Sequence, residues 1–203
     1  MTQDKIVSNV KDQELVKKRR DQMIKGAISL FKEKGFHKTT TREIAKASGF
    51  SIGTLYEYIR TKEDILFLTV DAIYEKVREG IEPFFNLEHP SEDNLIHVIK
   101  SYFHLVDDLQ EEILILYQEV KSLKKETREY VLQKERDMVY LLEKVILNCG
   151  PKQLSEEDAA LLANNIFVQG HMWAFRRWIL QKQFTLEEYI EKQVGFFLKI
   201  IRD

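Results

Sequence analysis

The chain has 203 residues, 44% hydrophobic and 32% charged, enough to bury one good core or a core with a small satellite domain. Eight glycines and 3 prolines are too few for a sandwich or barrel of many short strands. No apolar run reaches the ~18 residues of a membrane-spanning helix, the N-terminus is charged rather than signal-like, and a single cysteine, Cys149, excludes a disulfide framework or multi-thiolate zinc site.

An all-α, cytoplasmic protein is expected, with Cys149 an inert thiol before a turn. Its net charge of −2 hides an asymmetry: residues 1–61 carry 13 Lys and Arg against 7 Asp and Glu, and residues 62–203 carry 18 against 26. A basic N-terminal part on an acidic body suggests a polyanionic partner. A solvated basic helix is the simpler alternative, because Lys17, Lys18, Arg19 and Arg20 are consecutive and spread around a helix.

Residues 1–11 have no clear period and read as a mobile arm. From Asp12 the pattern is helical, with Met23, Ala27, Leu30 and Phe31 on one face, and Gly35 stops it as a left-handed cap. Thr40 and Glu43 form a capping box for a short helix through Ile44, Ala45 and Ala47. Gly49 breaks that helix, and Ser51 caps another through Leu55 and Tyr58. Thr61 opens a long amphipathic helix that ends near Gly80 and Pro83.

Pro90-Ser91 opens a helix whose face holds Leu95, Ile99, Tyr102, Phe103 and Val106. An acidic break over Asp107–Glu112 precedes Ile113–Val120, an apolar run expected to be buried on all sides. Lys124–Asn148 is a long charged helix ending at Gly150-Pro151; Ser155 caps a helix to about Gln181, and Thr185 caps a last one to Ile201.

Two short helices separated by a glycine turn, in a basic segment, make a helix-turn-helix arrangement, whose second helix enters the major groove while flanking hydroxyls meet phosphates. Gly53 would let the backbone approach closely, and Tyr56 and Tyr58 are two aromatics in a helix without room to bury both. A small trihelical packing unit with surface tyrosines is the competing reading.

Gly35-Phe36, Thr39-Thr40-Thr41, Ile44-Ala45, Gly49-Phe50-Ser51, Gly53-Thr54-Leu55-Tyr56, Tyr58 and Lys62-Glu63-Asp64-Ile65-Leu66, in this order and spacing, resemble the DNA-binding domain of TetR/AcrR-type transcriptional regulators. Ile59 departs from the phenylalanine usual there and keeps an apolar residue. The resemblance implies an N-terminal three-helix DNA-binding domain over residues 12–61 and a C-terminal helical effector-binding and dimerisation domain over 62–203. It implies a homodimeric, ligand-released repressor of a palindromic operator, with double-stranded DNA and a small effector as partners, no catalysis and no cofactor. Thr41, Ser51, Tyr56, Tyr58 and Lys62 then fall at phosphate-contacting positions. Ile52, Gly53 and Thr54 fall nearest the bases, and Arg42 is a further candidate for either. Independently, the sequence has no Gly-rich phosphate loop, nucleophile elbow or metal-ligand signature, and His97 and His104 read as packing or surface residues.

In the C-terminal half, 15 of the 22 aromatic residues lie between Phe84 and Phe197, enough to line a core and a pocket. Tyr102, Phe103, Tyr117, Glu119, Phe167, Trp173, Arg176, Arg177 and Trp178 are the expected ligand-lining residues. Tryptophans beside paired arginines suggest an amphipathic anion such as an acyl-CoA, and Ile115–Glu119 resembles members of the family that regulate lipid or steroid degradation. The arginines pairing with acidic residues across the dimer, a lipophilic cation held by Glu119, and DNA binding without any effector are the alternatives. Ala163, Phe167, Gly170, Ala174, Val194, Phe197 and Leu198 are expected to suit close packing between subunits.

Overall fold

The computed structural model describes residues 8–82, 90–151 and 154–202, which form helices and no strand. In order they are α1 (Gln13–Lys38), α2 (Thr41–Ala47), α3 (Ile52–Tyr58), α4 (Lys62–Ile81), α5 (Glu92–Asp108), α6 (Gln110–Glu119), α7 (Lys125–Cys149), α8 (Glu156–Phe175), α9 (Arg177–Gln183) and α10 (Leu186–Arg202). A 3₁₀ turn at Val120–Ser122 links α6 to α7. No described helix is long and apolar enough to cross a membrane. Of the arm expected over residues 1–11, the part up to residue 7 lies outside the described residues. The part that follows is anchored: Ser8 Oγ and the Asn9 amide both donate to the Glu57 carbonyl, at 3.2 and 2.9 Å.

The chain divides into two compact units, residues 1–73 with 115–131, and residues 74–114 with 132–203. The first unit thus extends beyond the expected boundary at 61, because the first turns of α4 bury Ile65, Leu66, Leu68 and Val70. Helices α4, α6 and α7 each have one end in either unit.

In the first unit, Asp12 caps α1 by accepting the Leu15 amide at 3.1 Å, and Met23, Ala27 and Phe31 are buried along one face. Gly35 takes φ 79°, a left-handed conformation that favours glycine, so α1 kinks before its last turn, Phe36–Lys38. Thr40 and Glu43 make the reciprocal capping box at the start of α2. The Lys34 ammonium, then the Thr40 amide and hydroxyl, hold the Glu43 carboxyl down at about 2. Gly49, at φ 76°, turns the chain into α3, which Ser51 caps by accepting the Thr54 amide at 3.0 Å. Helices α1, α2 and α3 pack on one another through Ile44, Ala45 and Leu55.

In the second unit, α5, α8 and α10 pack together. Leu95, Val98, Ile99, Tyr102, Phe103 and Val106 form the buried face of α5, each large side chain contributing about 1.5–3 kcal/mol of burial. The Tyr102 ring stacks on Phe167 at 5.5 Å and its hydroxyl donates to the Phe167 carbonyl at 2.9 Å. Gly170 makes this possible: a Cβ there would stand 2.5 Å from the Tyr102 ring.

Three expectations are corrected. The acidic break shrinks to Leu109, because α6 starts at Gln110 and takes Glu111 and Glu112 into its first turn, where its dipole favours them. The run Ile113–Val120 is not buried on all sides: Tyr117 and Gln118 are exposed. The helix expected to reach Gln181 ends at Phe175, with Arg176 at φ −105°, ψ 22°, outside helical geometry, before α9 begins.

Candidate functional site

The edge formed by α2 and α3 carries the residues expected at DNA. Arg42, Ser51, Gly53 and Tyr56 are exposed, and Thr41, Ile52 and Thr54 are half-buried. The Thr41 hydroxyl lies 3.1 Å from the Tyr56 hydroxyl, joining the first residue of α2 to α3. Ser51 Oγ is 2.9 Å from Thr54 Oγ1, so the cap of α3 also orients Thr54. These short polar side chains present hydroxyls and one guanidinium on a shared surface, a pattern suited to phosphate and base edges.

Two residues depart from this arrangement. Tyr58 is only 4% exposed, whereas Tyr56 is 46% exposed, so the two-turn helix does bury one of its tyrosines and Tyr58 belongs to the core. The side chain of Lys62 turns to the end of α1: Nζ donates to the Phe36 carbonyl at 2.9 Å and the His37 carbonyl at 3.4 Å, and sits 4.2 Å from the Phe36 ring centroid. A cation at a helix C-terminus meets carbonyls left without helical partners, which accounts for this choice.

The same turn receives Glu119. Its buried carboxylate accepts the Phe36 amide at 3.3 Å and the Ser122 hydroxyl at 3.3 Å, and Ser122 Oγ lies 3.0 Å from His37 Nε2. The Glu119 carboxylate, expected to line an effector pocket, is thus engaged by Phe36 and Ser122. Its partner is the amide that the kink at Gly35 withdraws from α1. Tyr117, two residues before Glu119, is exposed.

The second unit does gather Tyr102, Phe103, Phe167 and Trp173, all buried. Trp173 packs on Tyr189 at 5.0 Å and its indole donates to Asp107 at 2.5 Å. Arg176, Arg177 and Trp178 are separated from this cluster by the break after Phe175 and are exposed, Trp178 to 60%. Arg177 pairs with Glu111 at 2.7 Å, and the Arg176 guanidinium lies 5.8 Å from the Trp178 ring. Phe167 borders a groove of about 380 Å³ between α7 and α8, with Leu132, Glu135, Val139 and Val168. Burial raises the Glu135 carboxyl above its ordinary range there.

The residues expected to pack between subunits are mostly interior: Ala163, Phe167, Gly170, Ala174, Val194 and Phe197 are buried within the chain, and Leu198 is half-buried. The outward apolar residues are others. Leu161 and Val168 on α8, with Phe196 and Ile200 on α10, are exposed, and Leu161, Asn165 and Ile200 border a common groove.

Sequence reasoning also missed Arg20, whose buried guanidinium donates to the Tyr58 carbonyl at 3.3 Å and ties α1 to the end of α3. Its place inside a run of four basic residues hides it. Only the spacing from Val16 and Met23 marks the buried side.

The family model for bacterial regulatory proteins of the tetR family matches residues 23–69. The HTH-type transcriptional regulator HbdR of Aromatoleum sp. (strain CIB) is 32% identical over 191 residues, covering 93% of this chain and 83% of that protein. The fatty acid metabolism regulator protein of Bacillus subtilis (strain 168) is 31% identical over 85 residues, 42% of this chain and 44% of that protein. Among solved structures, a bacterial regulatory protein in the tetR family from Rhodococcus RHA1 superposes with a TM-score of 0.77 at 21% identity, covering 91% of this chain and 97% of that one.

Proposed function

Because the chain belongs to the tetR family of bacterial transcriptional regulators, we propose that it is a ligand-responsive repressor that holds a palindromic operator as a homodimer and lets go when a small effector binds its second unit. The observation that carries the DNA reading is the shared exposure of Arg42, Ser51, Gly53 and Tyr56 at the α2–α3 edge, with Thr41 and Tyr56 hydroxyls in contact. The outward apolar residues Leu161, Val168, Phe196 and Ile200 support a subunit interface. Two recognition helices reach successive major grooves only when about 34–36 Å apart, so pairing of subunits sets operator spacing. An effector shifts this equilibrium only by binding the DNA-incompetent state more tightly.

For the effector we favour an acyl-CoA. Support comes from the aromatic cluster of Tyr102, Phe103, Phe167 and Trp173, and from the apolar groove beside Phe167. The exposed guanidinium of Arg176 beside Trp178 adds a cationic and aromatic surface for a nucleotide headgroup. The partly similar Bacillus subtilis protein is named for fatty acid metabolism. A lipophilic cation loses its expected carboxylate, since Glu119 is engaged at Phe36. The test is to titrate acyl-CoAs of several chain lengths into the protein–operator complex, with lipophilic cations alongside. Release by a long-chain acyl-CoA supports the reading, and release by cations alone rejects it.

A further inference from the structure

We infer that Glu119 is a positioning residue for DNA binding: by holding the Phe36 amide, it fixes the turn from which α2 and α3 are launched. This rests on the proposed DNA reading and adds a residue that touches no DNA.

Several polar groups of the turn are held by side chains or by the next residues of the chain. The Gly35 carbonyl accepts Thr39 Oγ1 at 2.8 Å, and the Phe36 carbonyl accepts the Thr39 amide at 3.2 Å and the Lys62 ammonium at 2.9 Å. His37 meets Ser122 through its ring and Lys62 through its carbonyl. The Phe36 amide takes its acceptor from a side chain 83 residues away along the sequence. It is a buried donor on a left-handed kink that α1 cannot satisfy by its own ladder, so losing Glu119 leaves it without an acceptor. Phe36 itself is a core residue packed edge-on against Phe31 at 5.4 Å, and three residues beyond His37 lies Thr40, the cap of α2. A shift of the turn therefore moves the start of α2, and with it the Thr41–Tyr56 contact at the DNA edge.

Helix α6 begins at Gln110 in the second unit and delivers Glu119 to the first. At its C-terminal end, within the first unit, Glu119 accepts the Phe36 amide and the Ser122 hydroxyl.

The test uses full-length protein, a duplex selected by the wild type from a randomised pool, and a random duplex of equal length. Amide exchange is followed at Phe36. Glu119→Ala, and Glu119→Met as a version that keeps the volume without a strong acceptor, should raise Phe36 exchange about tenfold or more. Each should weaken binding to the selected duplex about fivefold or more, because the competent arrangement becomes a minor fraction. Discrimination between the duplexes should fall with it. Glu119→Gln, which retains a carbonyl acceptor, should restore affinity to within about twofold. In the wild type, binding the selected duplex should slow Phe36 exchange further, a measurement that needs no variant to fold. Unchanged Phe36 exchange in the variants overturns the inference, as do raised exchange with unchanged discrimination, or a wild-type Phe36 amide indifferent to DNA. No arm uses an effector, so failure of the acyl-CoA reading leaves the test intact. Failure of the DNA reading is separately visible as no duplex selected by the wild type.

Discussion

The Lys62 ammonium stands 4.2 Å from the Phe36 ring centroid while donating to the Phe36 carbonyl at 2.9 Å. One side chain at the start of α4 thus closes the C-terminal end of α1. Lys62→Met should lower stability by about 0.5–2 kcal/mol in urea unfolding, the sum of a cation–π contact and a helix-terminal charge at a half-buried position. Operator affinity should fall through the loosened turn. If the ammonium serves α1 and not a phosphate, the log–log salt slope of DNA binding stays near the wild-type value. A phosphate contact would make it shallower by about 0.9.

The two tyrosines of α3 should separate stability from binding. Tyr58→Ala empties a core position beside Arg20 and should cost about 3–5 kcal/mol. Tyr56→Phe removes an exposed hydroxyl and should leave the unfolding midpoint within about 0.5 kcal/mol. It should still weaken binding to operator and random DNA alike, as a phosphate contact would. Anisotropy titrations on both duplexes read the second effect.

What the sequence revealed and what it hid divide along chain distance. The caps at Thr40–Glu43, Ser51 and Thr185–Glu188 were legible because a capping side chain finds its partner within three residues. Which tyrosine of a two-turn helix is buried was not, because the packing of α3 against α1 and α2 decides it. Glu119 read as a pocket carboxylate because its partner lies on α1. The break at Arg176 carries neither glycine nor proline, and local pattern gives no sign of it. The helix-turn-helix surface, built from local turns and caps, could be read in advance, whereas the division of the aromatic half into core and exterior depended on packing among α5, α8 and α10.

Gly170→Ala should be among the more costly one-carbon changes in the second unit. The new methyl would stand 2.5 Å from a ring edge of Tyr102, which is held by stacking on Phe167 and by its hydroxyl bond to the Phe167 carbonyl. A rigid, buried neighbour cannot yield as a flexible side chain would, so the overpacking should cost about 1–3 kcal/mol by chemical denaturation. Adding Tyr102→Phe to Gly170→Ala should not recover it, because the clash is with the ring.

Burial pushes the His171 imidazole down to about 4. The unfolded chain takes up this proton near the ordinary value of about 6.5, where the native protein does not. The stability gained by keeping His171 neutral is therefore complete above about pH 6.5 and is lost as the pH falls toward 4, at up to about 1.4 kcal/mol per unit. His171→Gln should flatten the stability profile over this window. The carboxylates of Glu75 and Glu188, both lowered, lose their contribution mainly further into acid and do so in both proteins. Urea midpoints measured between pH 7 and 4 compare the two slopes.

Subunit pairing is tested by placing a charge on the outward face and, separately, in the interior. Phe196 is 57% exposed and Leu161 63%, so Phe196→Glu and Leu161→Glu should leave the fold of the single chain intact while setting a carboxylate against an apolar partner surface. Sedimentation at micromolar concentration should then show monomer, and operator binding should weaken because two linked recognition helices are lost. Ala174→Glu, by contrast, buries the charge inside the chain and should abolish folding rather than pairing. If Phe196→Glu and Leu161→Glu remain dimeric, the interface lies elsewhere on the second unit. The exposed apolar residues of α8 and α10 would then need another occupant, since a monomer in solution would leave them facing water.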